Sequence, residues 1–87
     1  MIMKTSDENN MTALVTGGSR GIGKCISLML ALHFAKKIFI NYVQNDEEAE
    51  KTRLLIKESD CDAVLLRYNL AYPGEIDKMF EQIYKES

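Results

Sequence analysis

Two kinds of apolar spacing alternate along the chain. Runs of apolar and β-branched residues at 12–16, 38–43 and 63–68 read as strands. Strands that are apolar on both faces belong to a sheet covered on both sides, as in parallel α/β proteins. A helical spacing follows each run. Ile22, Cys25, Ile26, Met29 and Leu30 fall at i, i+3, i+4, i+7 and i+8, a wide stripe expected to face the core. Ala49, Thr52, Leu55 and Ile56 form a thinner stripe in a charged helix, and Ile76, Met79, Phe80, Ile83 and Tyr84 repeat the wide one. Asn45, with Glu48 three residues on, is placed to cap the second helix. Pro73 opens the third, where its missing N–H costs nothing. No glycine stops the first helix, so a looser turn is expected around Phe34-Ala35-Lys36-Lys37. The predicted order is β-α-β-α-β-α, a right-handed parallel unit.

Eighty-seven residues bound the chain to one small domain or a piece of a larger one. Eleven basic and thirteen acidic side chains, net charge −2, give no electrostatic case for nucleic acid. The densest acidic run, Asp46, Glu47, Glu48 and Glu50, reads as the first turns of a helix, where carboxylates are favoured. No apolar run is long enough to cross a membrane, and no membrane partner is expected. Residues 1–10 are polar, lack the apolar segment of a signal peptide and are expected to form a disordered tail, leaving 11–87 as the folded domain. Cys25 is expected to face the core and Cys61 to lie in a turn. Neither has a CxxC partner or histidines at metal spacing, so no metal site is expected. With no secretion signal, the cysteines read as reduced and the protein as cytoplasmic. His33 lies near the end of the first helix with no nucleophile or acid at a meaningful spacing, and Lys24 is expected to face solvent.

The candidate chemistry sits where the first strand meets the first helix, in Thr16-Gly17-Gly18-Ser19-Arg20-Gly21-Ile22-Gly23. A glycine-rich turn between strand and helix presents backbone N–H groups and a positive helix end to a pyrophosphate. Gly17 suits a tight exit from the strand, Gly21 a close approach of backbone to phosphate, and Gly23 close packing of the helix on the sheet. A second phosphate motif overlaps it. Residues 18–25 nearly match the P-loop, but Cys25 stands where a hydroxyl must meet Mg²⁺, and a thiol is a poor ligand for a hard cation.

The glycine segment resembles the cofactor motif of the short-chain dehydrogenases/reductases, and its Ser-Arg-Gly-Ile-Gly form is most similar to that of 3-oxoacyl-[acyl-carrier-protein] reductases. The resemblance runs from about Met11 to the end and includes the strand ends Ile40-Asn41-Tyr42 and Tyr68-Asn69-Leu70. It implies the N-terminal half of a Rossmann-like parallel sheet. It also implies dinucleotide binding by Thr16, Gly17, Ser19, Arg20, Gly21, Ile22 and Gly23, with Asn41 and Tyr42 at the ribose and Asn69 and Leu70 at the adenine. The alternative role of Asn69 is simply to end its strand in a turn. An acid at the second strand's end would accept from the 2′-hydroxyl of NAD. In family register that position is Tyr42, and the first acid, Asp46, is too far on to be in the strand. Arg20 supplies a charge for a 2′-phosphate, so NADP(H) is preferred over NAD(H).

Reduction in this family uses a serine, a tyrosine and a lysine four residues after that tyrosine. Tyr42, Tyr68 and Tyr72 are followed at that spacing by Asp46, Tyr72 and Ile76, and Tyr84 lies too near the end. No catalytic residue is therefore assigned, and the 87 residues are expected to be inactive alone: a fragment, a truncated product or one piece of a split protein. The parent activity implied is NADPH-dependent carbonyl reduction by a homo-oligomer. In the doubly wound order the first strand pairs with a fourth parallel one. Without it, that strand's edge is expected to be bare and to invite self-association, or docking as a non-enzymatic interaction module.

Overall fold

The computed structural model describes residues 2–4, 11–17, 21–33 and 35–86. Among them are β1 (Ile2–Lys4), β2 (Met11–Thr16), α1 (Gly21–His33), β3 (Ala35–Tyr42), α2 (Asp46–Glu58), β4 (Asp62–Arg67) and α3 (Pro73–Glu86). The sheet order is β1-β2-β3-β4. β2, β3 and β4 are parallel, with Leu14 beside Phe39 and Phe39 beside Val64. This is the predicted β-α-β-α-β-α unit with one strand added.

Alternation along the strands builds two cores. Val15, Ile38, Ile40, Ala31, Ile56 and Cys61 form one cluster, joining the sheet to α1 and α2. Leu14, Phe39, Leu66 and Met79 form the other, beneath α3. Burying both faces is what makes continuously apolar strands stable in water.

The phase of α1 differs from the expected stripe. Cys25 is exposed, and Met29 and Leu32 are 55% and 64% exposed, while Ser27 and Ala31 are buried. The buried side chains of α1 are the small ones of Ser27 and Ala31, four residues apart, with Leu28 and Leu30 packed on the core beside them. The polar one is satisfied internally, because Ser27 Oγ donates to the Gly23 carbonyl at 2.9 Å. Hydrophobicity alone did not reveal this phase, since the residues that fit are less apolar than those that do not.

The other punctuation follows chain chemistry. Asn45 adopts φ 68° and its side chain accepts from the Glu48 N–H, capping α2. Asp60, at φ 61°, turns the chain out of α2 into β4. The passage from α1 to β3 is tighter than expected. The helix runs to His33 and the strand begins at Ala35, and the β2–β3 pairing has a register irregularity between Met11 and Thr12.

β1 corrects two expectations. Ile2–Lys4 is not part of a disordered tail but a strand, and residues 5–10 lie outside the described residues. Nor is the edge of β2 bare: Ile2, Met3 and Lys4 pair antiparallel with Val15, Leu14 and Ala13. Those three partners are almost fully buried. An unpaired row of N–H and C=O groups along so buried a strand would be costly, and β1 removes part of that cost. A chain beginning at Met11 should therefore self-associate where the 87-residue chain does not. Light scattering after size exclusion should show a concentration-dependent rise in mass for the shortened chain only.

Candidate functional site

The carboxyl ends of β2, β3 and β4 are tied together by one buried residue. Asn41, at the end of β3, accepts from the Gly17 N–H through its main-chain oxygen at 2.8 Å. Its side-chain Nδ2 donates to the Leu66 carbonyl at 3.2 Å and the Tyr68 carbonyl at 2.9 Å. The Tyr68 N–H then donates to the Tyr42 carbonyl at 3.1 Å. The exits of all three parallel strands are thus held at one level. The sequence placed Asn41 at the ribose; in the structure its amide nitrogen donates to the carbonyls of Leu66 and Tyr68, and its main-chain oxygen accepts from Gly17.

Gly17 and Gly21 have φ of +68° and +62°, a region other L-residues enter at a cost. Among the described residues a Cβ at either would meet nothing within 4 Å. The glycines suit the bend, and no described residue fills the space beside them. α1 begins at Gly21 with no acid in its first turn, so its positive end is not neutralised from within. Thr16 is half-buried at the end of β2. Ser19, Arg20 and the Ile22 side chain lie outside the described residues. This bend and unneutralised helix end fit a pyrophosphate.

At the end of β3 the structure gathers residues that are distant in sequence. Tyr42 pairs in register with Arg67 of β4. Asn45 turns the chain so that Asp46 comes back over the strand end, where it accepts from Tyr42 Oη at 2.7 Å and from Arg67 Nη1 at 2.9 Å. Arg67 Nε also donates to the Val43 carbonyl at 3.1 Å. Burial, then the hydrogen bond to Asp46, raises the Tyr42 phenol above its ordinary value. The sequence had set Asp46 aside as too far on, but the helix cap folds it back.

Asn69 follows its turn role. Its Oδ1 accepts from the Ala71 N–H at 3.0 Å and its carbonyl from the Tyr72 N–H at 3.2 Å. Leu70 packs against the core under α3. Lys24, expected in solvent, donates to Glu48 Oε1 at 3.1 Å and links α1 to α2. Burial pushes the Cys61 thiol up to about 11, with the Asp62 charge adding to the effect. A cleft of about 390 Å³ lined by Lys36, Lys57, Asp60, Cys61 and Asp62 lies at the opposite end of β3 and β4, away from the glycine bend. Among the described residues no three potential ligands cluster as a metal site, and no helix is long and apolar enough to cross a membrane.

The family model for short chain dehydrogenase matches residues 11–87. The chain belongs to that family. This short-chain dehydrogenase sequence is 37% identical over 73 residues to a trihydroxynaphthalene reductase, PfmaI, of Pestalotiopsis fici, covering 84% of this chain and 26% of that protein. It is 32% identical over 77 residues to the 3-oxoacyl-[acyl-carrier-protein] reductase FabG of Staphylococcus epidermidis, covering 88% of this chain and 31% of that one. Two solved structures share the fold. One, from Burkholderia cenocepacia, is described as a dehydrogenase with bound NADP and superposes with a TM-score of 0.80 at 25% identity, covering 84% of this chain and 28% of that one. The other, a dehydrogenase/reductase from Sinorhizobium meliloti, has a TM-score of 0.77 at 32% identity, covering 84% and 29%. The short-chain dehydrogenase stretch thus spans between a quarter and a third of these relatives.

Sequence reasoning missed the Asn41 staple and the Tyr42–Asp46–Arg67 cluster. The first had a signal, since an amide in an apolar strand must find partners when buried. The second had none before the strand register was known. Replacing Asn41 with Ala leaves the Leu66 and Tyr68 carbonyls without their donor and should cost about 1–3 kcal/mol, read from urea unfolding. The raised Cys61 pKa means that the folded chain holds this proton more tightly than the unfolded chain. Its contribution to stability should be constant below pH 9 and fall as pH rises from about 9 toward about 11. Cys61→Ala should flatten that part of the urea-midpoint profile.

Proposed function

We propose that this chain is the dinucleotide-holding portion of an NADPH-dependent carbonyl reductase and holds NADP(H) in preference to NAD(H). The observation that carries the reading is the passage from β2 through Gly17 and Gly21, both at positive φ, into an α1 whose first turn lacks an acid. Membership of the family and the NADP bound to the Burkholderia structure support the dinucleotide. The glycine bend and α1 would hold the pyrophosphate, the end of β3 the ribose, and the turn after β4 the adenine. A bound nicotinamide would supply hydride to a carbonyl carbon. The residues here would seat the cofactor and screen its charge.

Relatives named for a naphthalene substrate and for an acyl-carrier substrate match this same stretch, so we assign it cofactor binding and not substrate choice. We assign it no proton donor either. Tyr42 donates to Asp46, and Tyr68 Oη bonds Gln82 Oε1 at 2.7 Å. No tyrosine is followed four residues later by lysine. The parent reductase is proposed to be a cytoplasmic homo-oligomer. Two other readings have less support. The P-loop reading wants Lys24 on a phosphate, but its ammonium is paired with Glu48. The docking-module reading wanted a bare β2 edge, which β1 covers.

Titration of the 87-residue chain with NADPH and NADH, followed in ¹⁵N–¹H spectra, tests the proposal. NADPH should move the Gly17, Gly21 and Gly23 amides with a dissociation constant on the order of 1 mM, and NADH should bind more weakly. A micromolar constant would overturn the reading of this chain as only a portion of the cofactor site. Unmoved glycine amides would overturn the site itself, and ketone-dependent NADPH oxidation would overturn the assigned silence.

A further inference from the structure

The Tyr42–Asp46–Arg67 cluster bears on which dinucleotide is chosen, and it has no counterpart in the motif reading, which relied on Arg20. In an open α/β sheet the ribose is read at the end of the second parallel strand, which here is β3, ending at Tyr42. Parity places Tyr42 on the α1/α2 face, because Ile38 and Ile40 belong to that cluster and Phe39 to the other. Arg67 shares that face, two residues after Leu65, which packs against the same cluster. The guanidinium is fixed at this strand end by the Val43 carbonyl through Nε and by Asp46 through Nη1. It carries three further N–H groups, and its side chain is 59% exposed. One Asp46 oxygen meets Arg67 and the other meets Tyr42. The acid nearest the ribose end is thus already hydrogen-bonded and balanced by a cation.

We propose that Arg67 is a specificity-determining residue that reads the ribose 2′-phosphate, and that Asp46 competes with the phosphate for its guanidinium. The assignment rests on the dinucleotide reading above. A 2′-phosphate at the end of β3 meets a planar cation with unused donors, the chemistry that suits Arg to phosphate. A 2′-hydroxyl meets a carboxylate that is already hydrogen-bonded and balanced by Arg67, a weaker acceptor than an unpaired acid. The pair therefore favours the phosphorylated ribose twice, by adding a donor and by weakening the competing acceptor.

Adenosine 2′,5′-bisphosphate and adenosine 5′-monophosphate are the probes, each titrated into the 87-residue chain and followed in ¹⁵N–¹H spectra. The bisphosphate should bind more tightly than the monophosphate. Arg67→Gln should weaken bisphosphate about 5-fold or more and leave monophosphate within about 2-fold. Asp46→Asn should strengthen bisphosphate by about 2-fold or more, as the competing charge is removed. Arg67→Lys, which keeps the charge and loses the fork, should retain part of the preference and stands in should Arg67→Gln fail to fold. Equal effects on both nucleotides, or none on either, from Arg67→Gln would overturn the assignment while leaving the dinucleotide reading intact. Failure of both nucleotides to move the Gly17, Gly21 and Gly23 amides in the unaltered chain would overturn that reading and this assignment with it.

Discussion

Everything at the upper end of the sheet depends on the bonds of Asn41. One buried residue holds the exits of three parallel strands, through its main chain toward β2 and its amide toward β4. The glycine bend, the end of β3 and the turn after β4 leave from those exits. A site assembled from three loops is only as well placed as the ends from which they depart. A buried amide with both partners in place is also self-enforcing, because any slip of register strands it without them. The same bonds that stabilise the sheet therefore fix the spacing of the candidate site.

The sheet below is held from two sides by unlike helices. α1 buries the small Ser27 and Ala31 and leaves its larger apolar residues, Met29 and Leu32, exposed. α3 instead buries Met79, with Ile83 packed beside it, and leaves Phe80 partly exposed. The Lys24–Glu48 pair joins α1 to α2 and helps hold their first turns together.

Along β2 the sheet meets a different problem, the exposure of a backbone ladder. β1 answers it locally with three residues in antiparallel pairing. In a doubly wound sheet this flank belongs to a further parallel strand. The short strand and that longer solution meet the same need of β2, which is to pair the groups that its burial denies to water.

By itself the sequence determined the order of elements, the two-faced apolar strands, the cap at Asn45, the helix start at Pro73, and the glycine bend. Each of these rests on residues close in the chain, whose spacing carries the periodicity or the turn chemistry directly. The tertiary structure alone decided the phase of α1, because the residues it buries, Ser27 and Ala31, are less apolar than Met29 and Leu32, which it leaves exposed. It decided that Ile2–Lys4 is a strand, because the reason for that strand lies in the edge of β2. It also brought Tyr42, Asp46 and Arg67 into one cluster. Strand register sets Arg67 beside Tyr42, 25 positions away in the numbering, and the left-handed turn at Asn45 returns Asp46 to both. Contacts of that kind are written in no local pattern, because they exist only once parallel strands have chosen their alignment.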